Sequence, residues 1–321
     1  MEEFIQQVSQ AVASLDWERE PRGLYEPIAY TMASGGKRLR PTLCLIAADM
    51  FSPINQDVIN AAMAIEVFHN FTLLHDDVMD RAATRRGKPS VHVRWNDNTA
   101  ILSGDEMVIE AYTLLQEIRS DKLPSVLKAF NRMAREICEG QQYDMDFETR
   151  SDVTIRDYME MIRLKTSVLL ATALQLGALL GGASEADQAA LYRYGINLGL
   201  AFQLQDDWLD VYGDPDTFGK AIGGDILCNK KTFMLLTAIQ TAEGELKREL
   251  DYWFEEGTDR SQEKISAVTN IYNQLSVDKA CQAEIRRYTE KALKELSQLN
   301  VDIKKKLTLT RLAEKLLVRK D

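Results

Sequence analysis

The chain has 321 residues, 45% of them hydrophobic, and a formal net charge of −10. That is ample for a large core, as one big domain or two ordinary ones, and the acidic balance argues against a general nucleic-acid-binding surface. An anionic substrate would need local basic clusters or bound metal cations.

The N-terminus, MEEFIQQVSQ, is acidic and polar and does not read as a secretory signal. No uninterrupted apolar run approaches the roughly 18 residues of a membrane span. Cys44, Cys138, Cys228 and Cys281 stand far apart without a CxxC pair, so they read as buried thiols in a reducing compartment, not a disulfide frame or zinc site. The expected location is the cytoplasm.

In chain order, GGKRLRP (35–41) comes first, with Lys37 and Arg40 after a flexible Gly-Gly turn. Apolar spacing then predicts long helices over 54–75, 99–118, 124–147, 154–182 and 184–212. Ser184 is the expected N-cap of the last, with Asp187 three residues on. From Thr232 onward the pattern is shorter and more amphipathic. No sustained strand alternation, low-complexity linker or fixed-period repeat interrupts it. The expectation is a single all-α domain over residues 1–321.

Two stretches carry the chemistry. LLHDDVMD places Asp76, Asp77 and Asp80 at the end of an apolar run, and Arg85 and Arg86 follow. On a helix, positions 76 and 80 share a face. Unpaired charges there would be costly, so cations or full solvation must compensate them. FQLQDDWLD repeats the spacing with Asp206, Asp207 and Asp210. Carboxylates at helix C-terminal ends are electrostatically misplaced unless something positive joins them. If the two helices face each other, metal ions bridge the clusters. Carboxylate oxygens suit magnesium, which binds through one or two carboxylates plus substrate phosphates. An isolated DDxxD is more often a solvated helix end; two copies on apolar helices point to a site.

Basic residues complete the pattern. Lys37, Arg40, Arg85, Arg86, Lys165 beside Thr166, and Lys220 with Lys230 are scattered along the chain. Arginine forks and lysine point charges both suit phosphate oxygens. Each alone reads as a surface charge; together with the acidic pairs they describe one or two diphosphate sites.

These elements, in this order, resemble the trans-isoprenyl diphosphate synthases, the family of farnesyl and geranylgeranyl diphosphate synthases. The resemblance runs from about Tyr25 to Thr232. It comprises GGKRLRP, the first DDxxD followed by RRGKPSVH, Gly104–Asp105, Gly140–Gln141, Lys165–Thr166, the second DDxxD, and GKAIGGDILCNKKT.

The resemblance implies one helical bundle around a central cavity and a head-to-tail 1′-4 condensation. It implies three magnesium ions. Asp76 and Asp80 would hold two of them and Asp206 a third, with Asp77 and Asp210 in the same acidic set. Arg85, Lys165, Lys220 and Lys230 would contact the allylic diphosphate (dimethylallyl, geranyl or farnesyl). Lys37, Arg40, His69 and Arg86 would hold isopentenyl diphosphate. Thr166 and Gln203 would lie near the reacting carbons. His75, beside the metals, reads as a helix-packing residue.

The resemblance also implies that Phe71, the fifth residue before Asp76, stands near the floor of the product pocket. Thr72 is the fourth, and Phe68 is a deeper second stop. Helical rise places Phe71 about 7–8 Å below Asp76. This pattern favours a twenty-carbon product, with fifteen close behind. A homodimer is expected, with 99–118 at its interface. A terpene cyclase, or a regulatory or prenyl-lipid-binding subunit, would be expected to lack one of these groups.

Overall fold

Nearly every described segment is helical, because the apolar residues recur at helical spacing and turn residues separate the runs. The structure, a computed structural model, describes residues 1–119, 121–214, 222–255 and 261–318.

The helices are α1 (Glu2–Ala13), α2 (Arg22–Met32), α3 (Leu39–Asp49), α4 (Gln56–Met79), α5 (Val91–Arg94), α6 (Asp97–Gln116), α7 (Leu123–Thr149) and α8 (Ile155–Ile162). A π turn (Arg163–Ser167) joins α8 to α9 (Val168–Gly181). They continue with α10 (Glu185–Tyr212), α11 (Gly224–Leu227), α12 (Phe233–Thr241), α13 (Gly244–Phe254), α14 (Ser261–Gln274), α15 (Val277–Ser297) and α16 (Ile303–Val318). The described β-structure is one tiny antiparallel hairpin, β1 (Thr84–Arg85) with β2 (Lys88–Pro89), in register Thr84↔Pro89 and Arg85↔Lys88. Two-residue strands are too short to show alternation in sequence.

Caps set the helix starts: Ser184 is where it was expected, whereas Asn55 and Asn96 start α4 at Gln56 rather than 54 and α6 at Asp97 rather than 99. Asn55 accepts from Val58 N at 3.1 Å, Asn96 from Thr99 N at 2.9 Å, and Ser184 Oγ from Asp187 N at 3.1 Å. Thr154 and Asp157 form a reciprocal capping box at α8.

The described residues group into two compact units. The first comprises Met1–Arg132, Thr172–Tyr192 and Leu299–Thr308. Its central element is α4, buried at every position from Ala61 to Phe68 and packed most extensively against α6 and then α3. A helix apolar on all sides is a core helix. The second comprises Met133–Ala171, Arg193–Gln298 and Leu309–Asp321. Its core is built by Phe147, Tyr158, Leu204, Phe233, Leu250, Tyr272 and Ile285, among others.

One stretch, Ile155–Gly181, is apolar and long enough to cross a membrane by composition alone. Most of its apolar window is buried inside the protein, as in a core helix. It is also not one regular α-helix, because the π turn inserts at RLKTS.

Candidate active site

In the first unit, α4 does not stop at His75. It carries Asp76 and Asp77 in its last turn and reaches Asp80 as its C-cap, whose N–H donates to Asp76 O at 2.8 Å. The structure divides the acidic triad. Asp76 is half-buried and Asp80 exposed, whereas Asp77 turns inward and is 5% exposed. Arg85 meets it there, donating to Asp77 Oδ1 from Nε at 2.9 Å and from Nη2 at 2.5 Å.

Arg85 can reach because the hairpin folds back tightly. Arg86 and Gly87 both have positive φ (53° and 74°), the signature of a type I′ turn. Arg86 therefore occupies the left-handed region itself and donates from Nη1 to Gly35 O.

His75 packs, as expected. Its ring is edge-on to Phe71 at 4.8 Å, and its Nε2 lies 3.0 Å from Ile101 O on α6. A Cβ at Gly104 would stand 2.2 Å from that nitrogen, so any larger residue would have to displace the His75 ring.

The cationic residues of this unit gather around α3 and α4. Arg40 Nη1 lies 3.0 Å from His69 Nε2. A guanidinium only donates, so that histidine nitrogen accepts and the ring is neutral. Burial holds His69 well below its ordinary range, and Arg40, Arg86, Arg85 and Arg38 push it the same way. Burial also brings Arg40 down to about 10, with the carboxylate of Glu66 working against that shift. Arg40 Nε is buried without a partner, a donor that an anion would satisfy. Lys37 is exposed beside them in sequence.

Do the outer carboxylates fit a metal? Among the described residues, no group of three or more His, Cys, Asp and Glu side chains forms a metal-holding cluster. Asp76 and Asp80 present hard oxygen donors at an accessible helix end. A pair of this kind suits magnesium, which keeps waters and takes its remaining ligands from substrate phosphates.

The second unit holds the other acidic motif. Asp206 is half-buried, while Asp207 is 3% exposed and Asp210 is buried too. Asp207 accepts from Tyr158 Oη and, at 3.3 Å, from Gln203 Nε2. Burial, and then the neighbouring charge of Asp225, push the Asp207 carboxyl up to about 7. Asp210 accepts from the backbone N–H of Asp225 at 3.0 Å and so anchors the turn into α11. Lys230 lies close enough to oppose the shift on Asp207. Lys220 lies outside the described residues.

Lys165 and Thr166 sit within the π turn, an extra residue of the kind that often marks functional positions in helices. Two glycines make room for it. A Cβ at Gly140 would stand 2.4 Å from Lys165 N, and one at Gly199 would stand 2.6 Å from Ser167 Cα. Lys165 Nζ pairs with Asp144 at 2.6 Å, and Thr166 Oγ1 donates to Gln203 Oε1 at 3.3 Å. Thus Thr166, Gln203 and Asp207 form one hydrogen-bonded line.

The chain-length candidates belong to an aromatic group in the first unit. Phe71 stands edge-on to Phe68 at 5.2 Å, Phe68 to Phe130 at 5.2 Å, and Phe130 to Tyr112 at 5.4 Å. Thr72 spends its hydroxyl on His69 O at 2.8 Å.

Several partners have no motif of their own. Tyr158 and Asp144 carry no recognisable spacing. Asp225 stands inside GKAIGGDILCNKKT and Arg38 inside GGKRLRP, so both lie within motif segments. Glu66 had a signal: it is a lone carboxylate in the apolar run AMAIEVFHNF.

Comparison with known proteins bears on this arrangement. The polyprenyl synthetase family model matches residues 21–273. A geranylgeranyl diphosphate synthase of Methanosarcina mazei is 44% identical over 223 residues, covering 68% of each chain. A geranylgeranyl pyrophosphate synthase of Geoglobus acetivorans is 39% identical over 298 residues, covering 91% of this chain and 90% of that protein. The crystal structure of a geranylgeranyl pyrophosphate synthase superimposes with a TM-score of 0.91 at 47% identity, covering 100% of this chain and 98% of that one. With the fold, the acidic helix ends and the cationic cluster in place, the chain belongs to the polyprenyl synthetase family and is a short-chain prenyltransferase.

Proposed function

We propose that the chain adds isopentenyl diphosphate head to tail (1′-4) to dimethylallyl, geranyl and farnesyl diphosphates and ends at geranylgeranyl diphosphate, with farnesyl diphosphate the nearest alternative. The observation that carries this reading lies along α4. An acidic end at Asp76 and Asp80 stands on the same helix as His69, seven positions earlier, and His69 is where Arg40 of α3 joins α4. That is about 10 Å, a spacing suited to two diphosphates.

In this reading Asp76, Asp80 and Asp206 hold three magnesium ions, and Asp77 and Asp210 complete the acidic set from behind. Bound magnesium supplies positive charge that stabilises the diphosphate leaving group. Arg85, Lys165, Lys220 and Lys230 add positive charge to the same diphosphate. Lys37, Arg40, His69 and Arg86 hold isopentenyl diphosphate, the neutral His69 by hydrogen bonding and the others by charge. The allylic C1–O bond breaks, the new bond joins C1 to C4 of isopentenyl diphosphate, and the C2 proton passes to the released diphosphate. Thr166 and Gln203 line the reacting carbons.

We assign the chain to one catalytic domain. Support comes from the interleaving of both units along the sequence. We propose a homodimer formed through α6, whose Ile101, Leu102 and Ile109 are exposed. We place it in the cytoplasm, a reading supported by four widely spaced free cysteines; Cys44 and Cys281 are buried as expected, whereas Cys138 and Cys228 are exposed.

The test is product sizing. Purified protein is incubated with magnesium, labelled isopentenyl diphosphate and, separately, five-, ten- and fifteen-carbon allylic primers. Growth to twenty carbons supports the reading, and a fifteen-carbon end point supports the alternative. No condensation from folded protein overturns both.

A further inference from the structure

The turn that carries Lys37 is held by a buried ion pair with no part in the chemistry above. Arg38 Nη1 meets Glu66 Oε1, and its Nη2 donates to Met32 O at 2.7 Å. Glu66 is 2% exposed in the middle of α4. Asn70, one turn on, donates to Glu66 Oε1 at 3.0 Å and to Glu66 O at 2.8 Å. Arg38 itself is the N-cap of α3 and sits at φ 46°, a region that arginine avoids unless its surroundings hold it there.

Both ends of this clamp adjoin the proposed isopentenyl diphosphate cluster in sequence. Arg38 lies between Lys37 and Arg40 in sequence, and Glu66 is three residues before His69 on α4. From the other side Arg86 grips the same turn at Gly35 O, and its guanidinium fills the place where a Cβ of Gly36 would be, 2.8 Å away. Glu66 is thus the buried counter-charge among Arg38, Arg40 and Arg86. A buried ion pair seldom stabilises a fold more than well-packed apolar residues would, so one in this place calls for another role.

We infer that Arg38 and Glu66 are positioning residues: their ion pair pins the GGKR turn to α4 and sets Lys37, Arg40 and Arg86 at the spacing that recognises the diphosphate of the non-allylic substrate. This rests on the assignment of that cluster under Proposed function. The clamp touches neither substrate; it acts through the three cations.

The test is a double-mutant cycle with Arg38→Gln, Glu66→Gln and the double variant. It is read in three ways: thermal stability, KM for each of the two substrates, and binding of inorganic diphosphate without magnesium by calorimetry. Each single variant is expected to raise KM for isopentenyl diphosphate about tenfold or more while the allylic KM moves less than about threefold. Arg38→Lys keeps the charge and should fall between. The double variant removes both buried charges and should recover stability over the singles, without recovering KM for isopentenyl diphosphate. Equal rises in both KM values, unchanged values in folded singles, or recovery of KM along with stability would each overturn the inference. Wild-type protein that fails to condense would overturn the functional reading instead. In that case diphosphate binding decides the clamp alone: weakened by the variants it stands, and unchanged it falls.

Discussion

Arg85 holds Asp77 through two of its nitrogens, both on the one oxygen Oδ1, at 2.9 and 2.5 Å. The middle aspartate of the first motif is therefore directed to the hairpin, and the outer pair remains at the accessible helix end. Asp77→Ala should lower stability by about 1–3 kcal/mol, since it strands a charged partner that is one-third exposed. Chemical denaturation would measure it. An unchanged midpoint would mean that the pair does not secure the hairpin.

The first aspartate of each motif should behave in the opposite way. Asp76→Ala and Asp206→Ala are expected to lose about a thousandfold or more in turnover with the fold intact. Circular dichroism and steady-state rates check both sides. Chelation of divalent metal from the wild type should likewise abolish turnover. Near-normal rates in both variants would remove the metal assignment.

Product length should follow the aromatic series. Phe71→Ala is expected to lengthen the product by five carbons or more, because its ring fronts Phe68 at 5.2 Å. Phe68→Ala opens the next layer but also empties a buried site, at about 3–5 kcal/mol. Chromatographic sizing of products from Phe71→Ala decides. An unchanged distribution would move the floor away from Phe71.

Gly140 tests the π turn. A methyl there would stand 2.4 Å from Lys165 N, against backbone that cannot swing aside. Gly140→Ala should cost about 1–3 kcal/mol by overpacking and displace Lys165 and Thr166, lowering kcat more than a comparable core change elsewhere. A variant of full activity and stability would show that the turn tolerates the methyl.

His69 predicts a pH effect with a definite sign. Its folded pKa lies well below the ordinary value of 6.5, so below that pH the unfolded chain binds the extra proton. The stability it contributes is complete above 6.5 and is lost as pH falls toward the folded pKa, by up to about 1.4 kcal/mol per pH unit. His69→Gln should remove that slope. Subtracting the variant's stability curve from the wild-type curve isolates this group from the opposing effect of Asp207. Parallel curves between pH 5 and 7 would show that His69 titrates normally.

The sequence alone determined the helices and the chemical character of the site. Apolar residues run through α4, buried on all sides along 61–68, and recur at helical spacing in α6, α7 and α10, so the sequence records burial directly. The i, i+4 pair Asp76 and Asp80 was legible because a helix converts that spacing into a shared face. Ser184 was legible as a cap because capping is local. The tertiary structure decided which members of each motif look outward. Asp77 turns to Arg85 and Asp207 to Tyr158, partners 8 and 49 residues away. Lys165 finds Asp144 21 residues away, and Arg38 finds Glu66 28 residues away. The physical reason is that a buried charge takes whatever partner packing brings to it, and packing joins residues whose separation in sequence carries no period. The π turn belongs to the same class: it exists where Gly140 and Gly199 leave room, and only the folded chain brings those glycines to it.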